Sequence, residues 1–249
     1  MTRSVGLVVP ALNPDVPRLK RYLEELHETV DPDLIRIELD DPTGRVATEL
    51  DGMDADCSIV NHRRGKGLAI THGFDALETE IFVFVDADGS TDATSVAQLV
   101  ETIDAGRADV AVGSRRHPQS VVDGRSLDRG FMSGIFARVA RLSTGIAIRD
   151  FQCGAKAFDA ACWSDIRADL VIPGFGWDLE VIWLSSTRGY TVLEVPVVWS
   201  EKAGTTVNPF KTGIRLLDVL GQIAFARIRG RNQLGGPDER LPSMGGEGR

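Results

Sequence analysis

The stretch Ile81-Phe82-Val83-Phe84-Val85-Asp86-Ala87-Asp88-Gly89-Ser90-Thr91-Asp92 decides the fold. Five consecutive β-branched and aromatic residues, with no polar alternation, predict a strand buried on both faces, the kind found in parallel sheets covered by helices. The run ends in two aspartates at i and i+2, which face the same side of an extended backbone. Asp86 and Asp88 therefore suit one hard cation, Mg²⁺ or Mn²⁺. The same letters also make an ordinary turn and helix N-cap. This segment alone leaves both readings standing.

Outward from that strand, apolar patterning alternates between two periods. Val5 to Pro10 reads as a buried strand, and Asp15 to Val30 as a helix with Leu19, Tyr22, Leu23 and Leu26 on one face. Leu34 to Leu39 alternates as a second strand and runs into the turn Asp40-Asp41-Pro42-Thr43-Gly44. Ser58 to Val60 is a short third strand, and Lys66 to Glu78 a helix after a Gly/Arg-rich loop. Thr94 to Ala105 reads as a helix and Ala108 to Gly113 as a strand. Alternation of this kind predicts an α/β architecture with a mostly parallel sheet. Further on come a helix over Gly130 to Ser143, a strand over Gly154 to Phe158 and a helix over Asp178 to Arg188. A late strand over Thr191 to Trp199 and a last helix over Asn208 to Arg231 complete the pattern. One domain over residues 1–231 is expected, divided into halves at 113/114, with a flexible Gly/Pro-rich tail at 232–249.

The chain carries 28 Lys+Arg against 36 Asp+Glu, a net charge of −8, which argues against free nucleic acid as a partner. Cys57, Cys153 and Cys162 have neither paired nor metal-type spacing. With no signal-peptide pattern and no long uncharged apolar run, a cytoplasmic protein is expected. The charge is uneven: residues 202–231 sum to +5 around an apolar stripe, leaving −13 elsewhere. An apolar helix with basic ends suits a membrane interface and anionic lipid. A core-packing helix with solvated arginines is the plainer reading.

Several ordered segments resemble the inverting family 2 glycosyltransferases. Asp86-Ala87-Asp88 resembles their D-x-D motif. Pro10-Ala11-Leu12-Asn13 resembles their first nucleotide loop, Asp40-Asp41 the loop that holds the base, and Asn61 to Gly67 their N-x-x-x-G-K-G loop. Gly113-Ser114-Arg115, Asp150-Phe151-Gln152-Cys153-Gly154-Ala155-Lys156, Gly176-Trp177-Asp178-Leu179-Glu180 and Glu194-Val195-Pro196-Val197-Val198-Trp199 narrow the resemblance to the polyprenyl-phosphate hexose synthases. It covers roughly residues 4 to 220. It implies a GT-A fold: a Rossmann-like, mostly parallel sheet flanked by helices, with a C-terminal amphipathic helix.

The resemblance also implies roles. Pro10, Ala11, Asn13, Asp40, Asp41, Lys66, Asp86, Ala87 and Asp88 would bind a nucleotide sugar, with Asp86 and Asp88 on the metal. Arg115, Arg129, Asp150, Lys202 and Asp178 would join Asp88 in the chemistry. Lys66, at a helix start, suits phosphate, and Arg115 suits bidentate phosphate contact. Arg129 and Lys202 match cations that gather an acceptor phosphate. Asp178 discriminates between acceptors, because a hydroxyl acceptor needs a general base and a phosphate acceptor does not. The implied function is hexose transfer from UDP-glucose or GDP-mannose to a polyprenyl phosphate, peripherally on the cytoplasmic face of a membrane. The alternative is transfer to a hydroxyl of a lipid-linked or soluble glycan with Asp178 as base. A sugar-nucleotide pyrophosphorylase and a non-catalytic nucleotide-sugar-binding protein are further alternatives.

Three departures from the family pattern stand out. Asn13 is followed by Pro14, the second-strand loop reads Asp40-Asp41-Pro42-Thr43-Gly44-Arg45, and Gly204-Thr205-Thr206 lacks a lysine. Among the aromatics, Trp177, close to Gly174 and Gly176, is expected to line a cleft. Trp163, Trp183 and Trp199 are expected to pack. His62, His72 and His117 are expected on the surface, and Asp54-Ala55-Asp56 in a solvated loop.

Overall fold

The computed structural model describes residues 3–124, 141, 145–174 and 176–202. Seven strands form one sheet in the order β3-β2-β1-β4-β7-β5-β8. They are β1 (Val5–Ala11), β2 (Leu34–Asp40), β3 (Asp56–Val60), β4 (Ile81–Val85), β5 (Val110–Ser114), β7 (Ala155–Asp159) and β8 (Val192–Pro196). The β1–β2, β2–β3, β1–β4 and β5–β8 pairs are parallel. β7 lies between β4 and β5 and runs antiparallel to both, with Val85 opposite Ala155. Its first residues therefore stand at the C-terminal end of β4. The mostly parallel α/β sheet expected from the sequence is present.

β4 is buried throughout, as its apolar run requires. On one face of the sheet, Leu7, Val9, Val83 and Val85 pack under α1 (Val16–Val30) and α4 (Ala93–Asp104). Asp15 caps α1 by accepting the Arg18 N–H at 3.1 Å, and Asp92 caps α4 through the Ser95 N–H at 2.9 Å. α1 ends at Asp31, whose φ of 50° is a left-handed C-cap. On the other face, Val8, Phe82 and Phe84 pack under α3 (Lys66–Asp75), α5 (Ala160–Ile166) and α6 (Trp177–Thr187). Phe74 and Trp163 meet edge to face at 4.9 Å between centroids there, the offset geometry that ring quadrupoles favour.

Several boundaries differ from the sequence reading. α3 stops at Asp75, not Glu78, so residues 76–80 form the turn into β4. The predicted late strand is two strands in different sheets. Pro196 has no N–H, the sheet ladder ends there, and β9 (Val198–Ser200) pairs instead with β6 (Val121–Asp123). β6, α5 and the four-residue α2 (Val46–Glu49) were not foreseen. Asp56 opens β3, while Asp54 is in solvent. The helix over Gly130 to Ser143, apart from Arg141, lies outside the described residues. So do the last helix, the boundary at 231 and the tail. Among the described residues no helix is long and apolar enough to cross a membrane.

Candidate active site

The strand ends that carry the motif residues share one edge of the sheet. β1, β2, β4 and β5 deliver Asn13, Asp40, Asp86 and Arg115 from their C-terminal ends, and antiparallel β7 delivers Lys156 from its start. Ligands of open α/β sheets bind at this edge.

Asp86 is the centre. Its N–H donates to the Gly154 carbonyl at 2.8 Å. Its Oδ1 meets Lys66 Nζ at 2.9 Å, and the same ammonium stands 3.6 Å from Oδ2 of Asp178. Asp178 in turn accepts from Lys156 Nζ, which also donates to the Cys153 carbonyl at 3.0 Å. Lys156 and Asp178 are 0% and 2% exposed. Phe84 offers its ring to both ammonium groups, at 5.1 and 5.2 Å from its centroid. A continuous chain of charge thus runs from Lys156 through Asp178 and Lys66 to Asp86.

The electrostatics follow from that packing. Burial works against the charge on Lys66, but Asp178 and Asp86 outweigh it and hold the ammonium above the ordinary lysine value. Although its side chain is 42% exposed, Asp86 stands deep enough for burial to push its carboxyl above the usual range. Lys66 opposes that shift and Asp88 adds to it. Asp88 takes the Ser90 N–H on Oδ1 at 2.9 Å and stays half-buried. Three carboxylates (Asp86, Asp88, Asp178) face two ammonium groups (Lys66, Lys156), leaving one negative charge uncompensated. These hard oxygen donors fit a divalent cation. Among the described residues no three His, Cys, Asp or Glu converge to hold one. Such an ion would complete its shell with water or ligand oxygens, as Mg²⁺ sites do.

Close approach explains two glycines. A Cβ on Gly154 would lie 1.9 Å from Oδ2 of Asp86, so only glycine lets the carboxylate sit there. A Cβ on Gly67 would lie 2.5 Å from Cβ of Trp177, so this glycine admits α6 against the start of α3. The same contact seats Lys66 beside Asp178.

Arg115 and Asp150 form the second cluster. Both Oδ atoms of Asp150 accept from the guanidinium, from Nε at 2.7 Å and Nη2 at 2.8 Å, and Oδ2 also takes the Arg115 N–H at 3.1 Å. The fork that the sequence reading offered to a phosphate is engaged by Asp150. The Asp150 turn is held in place by Glu194, whose Oε1 accepts the Arg149 and Asp150 N–H groups at 2.7 and 2.9 Å. Trp199 covers the Arg115 guanidinium at 5.6 Å. β9 is tied to the segment after Asp88 by Ser200 N–H to the Ser90 carbonyl at 2.9 Å. Lys202 follows two residues beyond β9, half-buried. Arg129 lies outside the described residues.

On the opposite flank, Asp40 is buried and fully engaged. Its Oδ2 takes the N–H groups of Arg64 and Gly65 at 2.8 and 3.1 Å, and its Oδ1 takes Arg64 Nε at 2.7 Å. Asp40 therefore holds the loop before Lys66. Asp41, exposed and with a φ of 43°, is the carboxylate left facing outward. Asn13 (φ 45°) accepts on Oδ1 from the Thr43 N–H and hydroxyl at 2.8 and 2.9 Å, tying the first loop to the second. Pro10 is half-buried and Ala11 buried, ending β1 beneath these loops; Ala87 is half-buried between the two aspartates.

One expectation fails. Trp177 lines no cleft: it is 1% exposed, packed on Phe84, with Nε1 donating to Thr71 Oγ1 at 3.1 Å. His72 is on the surface as expected, and its Nδ1 also meets Oε2 of the fully buried Glu38 at 3.0 Å.

Sequence reasoning gave no role to Lys156, Glu38, Arg64, Glu180, Glu194 or Tyr22. Glu38 lies between Arg36 Nε at 2.6 Å and Arg64 Nη2 at 2.9 Å, beneath α3. Glu180 takes the Val171 and Ile172 N–H groups at 3.1 and 2.9 Å, fixing the loop beside Gly65. The Tyr22 hydroxyl donates to the Thr91 carbonyl at 2.7 Å under the Asp86–Asp92 turn. The available signal was a charge inside a buried pattern: Lys156 interrupts Ala155-Ala157-Phe158, and a lysine there demands a partner.

Comparison with known proteins gives a consistent picture. The model of glycosyl transferase family 2 matches residues 7–162. Glycosyltransferase AglD of Haloferax volcanii is 33% identical over 68% of this chain and 27% of its own. Polyprenol monophosphomannose synthase of Mycolicibacterium smegmatis is 30% identical over 77% of this chain and 74% of its own. Dolichyl-phosphate beta-glucosyltransferase of Dictyostelium discoideum is 28% identical over 69% of this chain and 54% of its own. The chain thus spans about a quarter of the first relative and about half of the third. Among solved structures, glucosyl-3-phosphoglycerate synthase of Mycobacterium tuberculosis, with Mn²⁺, uridine diphosphate and glucosyl-3-phosphoglycerate, matches with a TM-score of 0.70. It is 16% identical and is matched over 95% of this chain and 82% of its own, a likeness of fold.

Proposed function

The chain belongs to glycosyl transferase family 2, and from that premise we propose that it moves a hexose from a nucleotide sugar to a polyprenyl phosphate with inversion. The names of the relatives from Mycolicibacterium smegmatis and Dictyostelium discoideum support that acceptor class. One observation carries the choice between acceptors: Asp178 is buried between Lys156 and Lys66. A carboxylate clamped by two ammonium groups is a poor base for an acceptor hydroxyl. A phosphate acceptor is already an anion and needs none.

In this reading Asp86 and Asp88 hold Mg²⁺ or Mn²⁺. When bound, the ion supplies positive charge for the diphosphate that leaves. Lys66, at the first turn of α3, brings an ammonium and the helix N-terminus to the same oxygens. Asp41 faces the nucleoside, Asn13 fixes the loop that carries it, and Pro10, Ala11 and Ala87 form the floor. Asp40 sets the Gly65–Lys66 loop. Arg115 and Asp150 are a rigid, locally neutral pair that shapes the sugar subsite, and Arg129 with Lys202 gathers the acceptor phosphate. A lipid acceptor implies peripheral contact with the cytoplasmic face of a membrane, through the basic apolar segment at 202–231.

The experiment is a donor-by-acceptor screen of the purified protein. UDP-glucose and GDP-mannose are each incubated with dolichyl phosphate or with a glycan alcohol, with Mg²⁺ or Mn²⁺. Transfer to the lipid phosphate is expected. Transfer only to the hydroxyl acceptor would replace this reading with the alternative.

A further inference from the structure

Lys66 is shared between two carboxylates of unlike exposure. Asp86 is 42% exposed and 2.9 Å away; Asp178 is 2% exposed and 3.6 Å away. Lys156 is 0% exposed and bound to Asp178 and to the Cys153 carbonyl, so it is fixed. Lys66 ends a flexible stem, and the face of Phe84 serves it at 5.1 Å. A shift of its ammonium by roughly one ångström toward Asp178 would break one ion pair and strengthen the other.

We propose that Lys66 is a tethered cation that occupies Asp86 until a divalent cation arrives, and that Asp178 is the place it withdraws to. The inference rests on the divalent-cation reading of Asp86 and Asp88. A free divalent ion and an ammonium at 2.9 Å compete for the same carboxylate, since like charges repel at that range. Asp178 is too deeply buried to take a hydrated ion. Its Oδ2, the oxygen that Lys156 does not hold, instead draws Lys66 inward, which lowers the cost of exchange. Asp178 and Lys156 are thus positioning residues for the site, acting through Lys66. Withdrawal over so short a distance also keeps the ammonium close to Asp86, so that it and a bound ion would face the diphosphate together.

The test is Mn²⁺ binding to the full chain without donor, read by electron paramagnetic resonance of free Mn²⁺ and by calorimetry. Lys66→Met removes the competitor, and Mn²⁺ should bind about tenfold more tightly. Asp178→Asn removes the place of withdrawal, leaves Lys66 on Asp86, and should weaken binding about tenfold. Asp86→Asn should lose it. Lys66→Gln, with a thermal melt of each protein, covers the case in which the methionine variant fails to fold. The opposite signs matter, because general loosening of the site would move both variants the same way. Asp86-dependent binding that is unchanged in the Lys66 variants, or shifts of one sign in the Lys66 and Asp178 variants, would overturn the inference alone. No Asp86-dependent binding in any protein would overturn the metal reading and this inference with it.

Discussion

Arg115 lays its guanidinium on Asp150, 35 residues away in sequence, so that both carboxylate oxygens are engaged at 2.7 and 2.8 Å. Glu194 secures the Asp150 turn from a third segment. Residues from β5, from the turn after residue 148 and from β8 thus form one rigid unit beside Asp86. The influence of Asp86 reaches the Arg115 charge and favours it.

That unit sets a pH dependence. Burial works to raise the Asp150 carboxyl, but Arg115 outweighs it and holds the carboxyl well below the usual carboxylate range. A depressed folded-state value contributes stability above the unfolded value of about 4 and loses it as pH falls further. Asp150→Asn leaves Arg115 buried without its partner charge and should cost about 3 kcal/mol near neutral pH. The gap from wild type should narrow toward about pH 3. Urea denaturation of both proteins across that range measures it.

Gly154→Ala places a Cβ where Oδ2 of Asp86 stands, 1.9 Å away. The backbone of β7 is fixed by pairing on both sides, so the Asp86 side chain must move. About 1–3 kcal/mol of stability should be lost. Transfer activity should fall by about a hundredfold or more, because roughly one ångström of misplacement at a reacting group costs that much. Steady-state kinetics alongside a chemical melt separates the two effects. Full activity in the variant would show that the position of Asp86 is not critical.

Asp88→Ala and Asp178→Asn should part company. Asp88 is half-buried, and its Oδ1 holds a single local N–H. Its loss should change stability by about 1 kcal/mol or less but reduce transfer by about a hundredfold. Asp178→Asn should be the less stable protein, because Lys156 is left buried with a weakened partner. It should nevertheless retain measurable transfer to dolichyl phosphate. Complete loss in a folded Asp178→Asn protein would return Asp178 to the role of base.

Thiol chemistry should report the fold. Cys57 is exposed on edge strand β3, whereas Cys153 and Cys162 are buried. Burial pushes the Cys153 thiol up to about 11 and the Cys162 thiol up to about 12. An aromatic disulfide reagent near neutral pH should label one thiol rapidly in the native protein and all three after denaturation.

Much of this molecule was legible in the sequence, for a definable reason. The apolar run at Ile81–Val85, the capping aspartates at Asp15 and Asp92 and the turn after Asp40 act on their own neighbours in the chain. Their consequences follow from local periodicity and capping. Element order, the mostly parallel sheet and the placement of D-x-D at a strand end came from that. The split of the late strand was half legible, because Pro196 announces a break but not which strand accepts the remainder. What covers the polar face of β2 was not legible, because alternation signals a face without saying what lies on it. Here α3 covers it, and Glu38 is neutralised beneath it by Arg36 and Arg64.

What only the tertiary structure decided are the charge partnerships. Lys156 meets Asp178 across 22 residues, Arg115 meets Asp150 across 35, and Arg64 meets Asp40 across 24. Nothing local selects these partners. The first two exist because β7 enters the sheet antiparallel between β4 and β5, bringing the start of one strand to the ends of two others, and the third because β3 pairs parallel to β2 and carries the loop after it to Asp40. Buried charge must then be matched by whatever opposite charge the topology supplies. The sequence determined which strand ends the candidate residues stand on. The packing determined that Asp40, Arg115 and Asp178 are buried against charged partners, that Asp86 meets Lys66 yet stays partly exposed with Asp88, and that Asp41 is exposed, since that depends on distances between segments far apart in the chain.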